Sequence, residues 1–168
     1  TRWIEGGYEP DTVTSLRFDP STLRETTARQ RAVYRGAMSL VLRHQSRDFH
    51  SHQILTPEVI NNNHVDDHHI FPDKYLERKG IASRLRDCVL NHTYIDRDTN
   101  IRISDRAPSD YMKEIRQERG DAKFDELLES HLLPTGEASP FWVDDFEAFL
   151  NWRQDKIWAE IKKVTGME

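Results

Sequence analysis

A chain of 168 residues is long enough for one domain with its own core and short for two. Hydrophobic residues make up 36% and charged residues 32%, which describes a well-solvated, mainly helical protein; the net charge of −5 excludes one that coats nucleic acid through bulk positive charge. The single cysteine, Cys88, excludes an internal disulfide framework and a cysteine-based zinc knuckle. With no long apolar run and no signal-peptide pattern, a reducing, cytoplasmic location is expected. The chain begins at Thr1 rather than Met, as expected of a segment of a longer protein.

Residues 1–20, punctuated by Gly6-Gly7, Pro10 and Pro20, read as an N-terminal arm or linker, and 21–168 as one domain. Thr22-Leu23-Arg24-Glu25 is a capping-box pattern predicting a helix to about His44. Leu23, Gln30, Val33, Tyr34, Ala37, Met38 and Val41 form its inner stripe, while Arg24, Arg31 and Arg35 read as a solvated face. Thr56-Pro57-Glu58 opens a short helix, and Asn61-Asn62-Asn63 signals a turn. His64 to Phe71 reads as a strand with a polar middle. Pro72 to Lys79 is predicted helical up to Gly80, and so is Ile81 to Leu90. Thr93-Tyr94-Ile95 has strand content, and Asp96 to Pro108 reads as turns. Helices follow from Pro108 to about Arg119, stopped by Gly120, and from Asp121 to Leu133. The last helix, from about Val143 to Val164, carries Phe146, Phe149, Leu150, Ile157, Trp158 and Ile161 inward. The fold class is α+β, a mainly helical domain around one small pair of strands.

The polar residues in the middle carry the chemistry. His68-His69 ends an apolar-flanked strand, Ile70-Phe71-Pro72 turns the chain, and Asn91 and Asn100 follow. Phosphodiester hydrolysis needs an activated water and relief of the charge that builds on the phosphorane and the departing oxygen. A neutral imidazole accepts a proton from water near neutral pH, where carboxylates are weak bases and lysines are protonated. Adjacent strand residues point to opposite faces, so His68 and His69 share a face only if the strand ends or bends there.

His68-His69-Ile70-Phe71-Pro72, Leu90-Asn91, Asp98-Thr99-Asn100-Ile101 and Ser104-Asp105-Arg106-Ala107-Pro108-Ser109 resemble the HNH (ββα-metal) domain at the C-terminus of GmrSD-type restriction proteins. The same order is similar to the HNH domain of the RNA-guided CRISPR nuclease, and the resemblance covers chiefly residues 64–120. Arg29-Gln30-Arg31-Ala32-Val33-Tyr34-Arg35-Gly36 resembles the preceding helix of related phage-defence proteins, among them the nicking subunits of phosphorothioation-sensing Ssp systems.

The resemblance implies a ββα-metal core, with paired strands near 64–95 and its helix from about residue 108. It implies His69 as the general base, His68 and Asn100 as metal ligands, and Asn91 as the brace of the loop. It further implies Mg²⁺ as cofactor, with Mn²⁺, Ni²⁺ or Zn²⁺ open because His68 stands where many members have Asp, as in the His-His pair of nuclease colicins. Most HNH sites have His where this chain has Asn100, a departure shared with the CRISPR nuclease. DNA would be the substrate, nicked to leave 5′-phosphate and 3′-hydroxyl ends. The partner would be an N-terminal NTPase or sensor domain of a bacterial restriction protein.

Around this set, Asp67 or Asp66 is a candidate to orient an imidazole. Lys74, Arg97, Arg102 and Arg106 are candidates for phosphate contact, Asp105 for turning the chain into the next helix, and His92 reads as structural. Three rivals remain at this stage: an HNH domain acting on RNA, a DNA-binding or assembly module with a vestigial site, and a structural zinc held by His68, His69 and another His.

Overall fold

The computed structural model describes residues 19–61 and 64–166; most of the predicted arm and two residues of the Asn61-Asn62-Asn63 turn lie outside them. In chain order come α1 (Ser21–Glu25), α2 (Ala32–Arg43), α3 (Pro57–Asn61), β1 (Val65–His69), α4 (Asp73–Arg78), α5 (Ser83–Arg86), a 3₁₀ turn (Val89–Asn91) and β2 (His92–Asp96). Then follow α6 (Arg97–Ile103), α7 (Pro108–Arg119), α8 (Asp121–Ser130), a second 3₁₀ turn (Pro140–Val143) and α9 (Phe146–Thr165). β1 and β2 form one antiparallel pair among these helices, an α+β fold. No helix among the described residues is long and apolar enough to cross a membrane.

The helix predicted from Thr22 to His44 is two helices. Thr26 is extended at the end of α1, its carbonyl accepts from Val89 N at 2.8 Å, and its hydroxyl bonds back to Thr22 O. A tertiary partner thus takes the carbonyl that a continuous helix would use. The Thr22–Glu25 capping box does not form either; α1 starts one residue earlier, with Ser21 N bonded to the Asp19 carboxylate. Nor is Arg24 a solvated residue: its guanidinium grips Glu147, Asn151 and Gln154 along α9 at 2.6–3.1 Å. The stripe of Tyr34, Ala37, Met38 and Val41 is buried as its spacing predicts, whereas Gln30 is exposed.

The turn after the His pair is an anchor. Ile70 and Phe71 are fully buried, and the Phe71 ring lies 5.0–5.9 Å from Phe141, Phe146 and Phe149. Burial of one such phenylalanine contributes about 2–3 kcal/mol. Tyr111 on α7 donates its hydroxyl to the Ile70 carbonyl at 2.6 Å. Polar residues that precede Ile-Phe are therefore held against a rigid wall.

Ile81 to Leu90 is helical only over α5 and the 3₁₀ turn. The stretch from Asp96 to Pro108, predicted as turns, contains α6, so the helix that follows β2 directly is Arg97–Ile103 and not the one starting at Pro108. α6 has only two buried residues, Thr99 and Ile103, too few for a visible stripe. It is fixed instead by Asp48 in the preceding loop, whose carboxylate accepts from Thr99 Oγ1 (2.7 Å), Asp96 N, His50 N and Ser51 N. Burial alone would raise the Asp48 pKa, yet these donors hold it below the usual range.

His131, fully buried, ties the Arg47 loop to β2. Its Nε2–H donates to Arg47 O (2.6 Å), and Nδ1 accepts from the Thr93 hydroxyl (2.7 Å), which fixes a neutral ring. Burial pushes its pKa down to about 4. The unfolded chain takes up this proton near pH 6.5 and the folded chain does not, so stability is full above that pH and falls toward about pH 4. The loss amounts to about 3 kcal/mol for this residue. Denaturant midpoints at about pH 7 and about pH 4 should converge in His131→Gln relative to the parent; an unchanged acid loss in that variant refutes the assignment.

Candidate active site

β1 and β2 meet in a register that sets His68 opposite Thr93 and His69 opposite His92. Alternation places His68 and Asp66 on one face, and His69 and Asp67 on the other. Asn91 stands just before β2, and Asn100 lies in the middle of α6, which packs against both strands.

On the first face, the His68 Nδ1 lies 2.8 Å from Asn100 Oδ1, and Asn100 Nδ2 donates to Asp66 at 2.9 Å. Asp66 thereby fixes which way the Asn100 amide points, leaving its oxygen toward His68. The His68 ring sits edge-on between Phe49 and Tyr111 and is 3% exposed. Burial, together with the nearby His69 and His92, lowers its pKa to about 4 despite the Asn100 contact, so the ring is neutral, with Nδ1–H given to Asn100 Oδ1 and the lone pair on Nε2. The His68 Nε2 is buried without a hydrogen-bond partner. Once the ring proton moves from Nδ1 to Nε2, the Nδ1 lone pair and the Asn100 amide oxygen, 2.8 Å apart, have the separation of adjacent ligands on a small octahedral cation, about 3 Å. This donor set fits a divalent metal.

On the second face, His69 Nε2–H donates to Asp87 Oδ1 at 2.9 Å, and the ring lies 4.2 Å from that of His92. Burial and the neighbouring His92 lower the His69 pKa and outweigh Asp87, so this imidazole too is neutral near pH 7. His92 is buried, donates Nδ1–H to Asp67 Oδ1 at 2.6 Å and leaves Nε2 unpartnered. Ligand atoms of His69, Asp87 and His92 all lie within 4.8 Å of one another, a group able to hold a metal ion.

The two faces meet at a pocket of about 100 Å³ lined by Asp67, His68, His69, Pro72, Asp73, Asn100 and Ser104. It adjoins an open groove of about 420 Å³ along Pro72, Asp73, Lys74, Ser104 and Asp105. Asn91 clamps the segment between: Oδ1 accepts from Phe71 N (2.8 Å), and Nδ2 donates to Phe71 O (3.0 Å) and Arg86 O (2.9 Å). It contacts backbone only and acts as a brace.

Several expectations change. Asp67 orients His92, not His68 or His69, and also accepts from Tyr34 and Arg29. Burial would raise the Asp67 pKa, and these three partners hold it low. Of the phosphate candidates, Arg102 is paired with Glu114 and Glu118, and Arg106 with Glu114. Lys74 and Arg97 stay exposed, Lys74 on the groove. Asp105 pairs with Arg78 and makes no bond to the first turn of α7, whose Ser109 N and Oγ donate to Asp144. His92, read as structural, joins the cluster with Asp87, which sequence reasoning passed over. The available signal was the strand ends: if β1 closes at His69 and β2 opens at His92, the two face each other.

The chain is thus an α+β domain with two polar clusters at one end of an antiparallel strand pair. No family model matches the chain, and no solved structure matches it. It is similar to an uncharacterized protein of Methanocaldococcus jannaschii, 31% identical over an alignment 147 residues long, with 79% of this chain and 24% of the archaeal protein covered. The chain thus spans about a quarter of the length of that relative.

Proposed function

We propose that the chain is a metal-dependent endonuclease domain of the HNH type that nicks DNA, working within a longer bacterial restriction or phage-defence protein. The observation that carries this reading is the pairing of His68 Nδ1 with Asn100 Oδ1 across β1 and α6, beside His69 and over a loop clamped by Asn91. His68 and Asn100 would hold the cation, Mg²⁺ first and Mn²⁺ or Ni²⁺ as substitutes, which supplies charge relief on the phosphorane and the leaving 3′ oxygen. His69, neutral and with its Nε2–H given to Asp87, offers the Nδ1 lone pair to take a proton from the attacking water. Lys74 and Arg97 are the exposed cations left to meet backbone phosphates.

The negative net charge and the neutralised Arg102 and Arg106 leave little intrinsic affinity for DNA. A sensor or NTPase domain elsewhere in the polypeptide would deliver the substrate. One such site cuts one strand.

Supercoiled plasmid incubated with the chain in Mg²⁺ or Mn²⁺ should convert to open circles, and EDTA should stop the conversion. A labelled RNA run in parallel separates DNA from RNA as substrate. A folded protein that cuts neither with any divalent metal overturns the proposal.

A further inference from the structure

We propose that His69 Nε2, His92 Nε2 and a carboxylate oxygen of Asp87 form a second cation site, chemically distinct from the His68–Asn100 pair, which takes Zn²⁺ or a similar transition metal.

Three observations converge. The ligand atoms are already gathered, with His69 Nε2 2.9 Å from Asp87 Oδ1 and the whole set within 4.8 Å. His92, only 1% exposed, contributes one ring nitrogen to this set; its Nδ1 is satisfied by Asp67, and its Nε2 is buried without a hydrogen-bond partner. A buried imidazole nitrogen without a partner is costly unless something occupies it. Finally, the far side of His92 is built as metal-binding histidines commonly are: Nδ1–H is given to the Asp67 carboxylate, which is itself fixed by Arg29 (2.7 Å) and Tyr34 (2.6 Å). That support fixes the tautomer with its lone pair on Nε2 and makes the nitrogen a better donor.

The donor set decides the metal. Two imidazoles and one carboxylate match Zn²⁺, Co²⁺ or Ni²⁺ and disfavour Mg²⁺, which prefers oxygen ligands. Three protein ligands leave one tetrahedral position for water, and Asp87, half exposed, leaves the ion a way in.

Binding there shifts the His69 proton from Nε2 to Nδ1, with no net proton release from that ring, and so removes the Nδ1 lone pair. The expected consequence is that Zn²⁺ inhibits cleavage supported by Mg²⁺; this consequence alone rests on the nuclease reading, while the binding does not.

The test is a Co²⁺ titration of the full chain, read by visible absorption, with Zn²⁺ competition. A four-coordinate site absorbs strongly and an octahedral, oxygen-rich one weakly. The parent should show strong bands saturating at one equivalent and erased by Zn²⁺. Asp87→Asn and His92→Gln should each weaken Co²⁺ binding by about 100-fold, and Asn100→Ala should keep the bands. Asp87 is exposed enough for its variant to fold even if His92→Gln does not. Absence of strong bands in the parent, bands unchanged in Asp87→Asn, or bands lost in Asn100→Ala each overturn the site. Plasmid nicking is read separately, so failure of the nuclease proposal leaves the Co²⁺ result standing.

Discussion

His69→Ala is expected to lower the rate of Mg²⁺-dependent plasmid nicking by about 10²- to 10⁴-fold, the range supplied by a positioned general base. His69 ends β1, partly exposed at the mouth of the pocket, and its ring is kept neutral by burial and by the adjacent His92. Loss of the ring removes the proton acceptor without opening the apolar core, which begins one residue later at Ile70. The fold should therefore survive, as circular dichroism and the thermal midpoint would report. Asp87→Asn keeps the shape but weakens the hold on Nε2–H, so its nicking rate should fall less, by about 10-fold. Parent-like nicking by His69→Ala would remove His69 from the mechanism and refute the assignment.

Asn91→Ala should cost about 4 kcal/mol of folding stability. Asn91 is fully buried, and its amide satisfies the Phe71 N–H, the Phe71 carbonyl and the Arg86 carbonyl at once. Alanine leaves all three without the partner they have, and each buried group so exposed costs about 1–3 kcal/mol. Its own backbone adds a fourth link, with the carbonyl accepting from Ile70 N at 2.8 Å. Because these bonds hold the residues right after His68 and His69, nicking should fall along with stability. Urea unfolding of parent and variant measures the effect. A loss below about 1 kcal/mol would show that water or a shifted backbone replaces the clamp.

Much of the helical scaffold was legible because its signals are local. Pro108 at the first turn and Gly120 (φ +78°) at the end bracket α7, and Phe146, Phe149, Leu150 and Ile157 recur at helical spacing on α9. The strands were visible in Thr93-Tyr94-Ile95 and in the turn that follows His69. α6 was not, since Thr99 and Ile103 alone face inward and Asp48, about fifty residues earlier, fixes its first turn. The break between α1 and α2 was equally hidden, because the partner of the Thr26 carbonyl is Val89.

The α+β class and the long amphipathic helices could be read from local patterns, and His68, His69, Asn91 and Asn100 stood out as candidates by residue type and order. That Asn100 meets His68 from α6, that His69 faces His92 and Asp87, and that Arg102 and Arg106 pair with glutamates emerges only on folding, because these contacts are long-range. Helix periodicity and turn chemistry act within a few residues, whereas ion pairs such as Arg106–Glu114 and Arg24–Glu147 join groups 8 and 123 positions apart, and strand register is likewise set by distant residues that only the folded chain brings together.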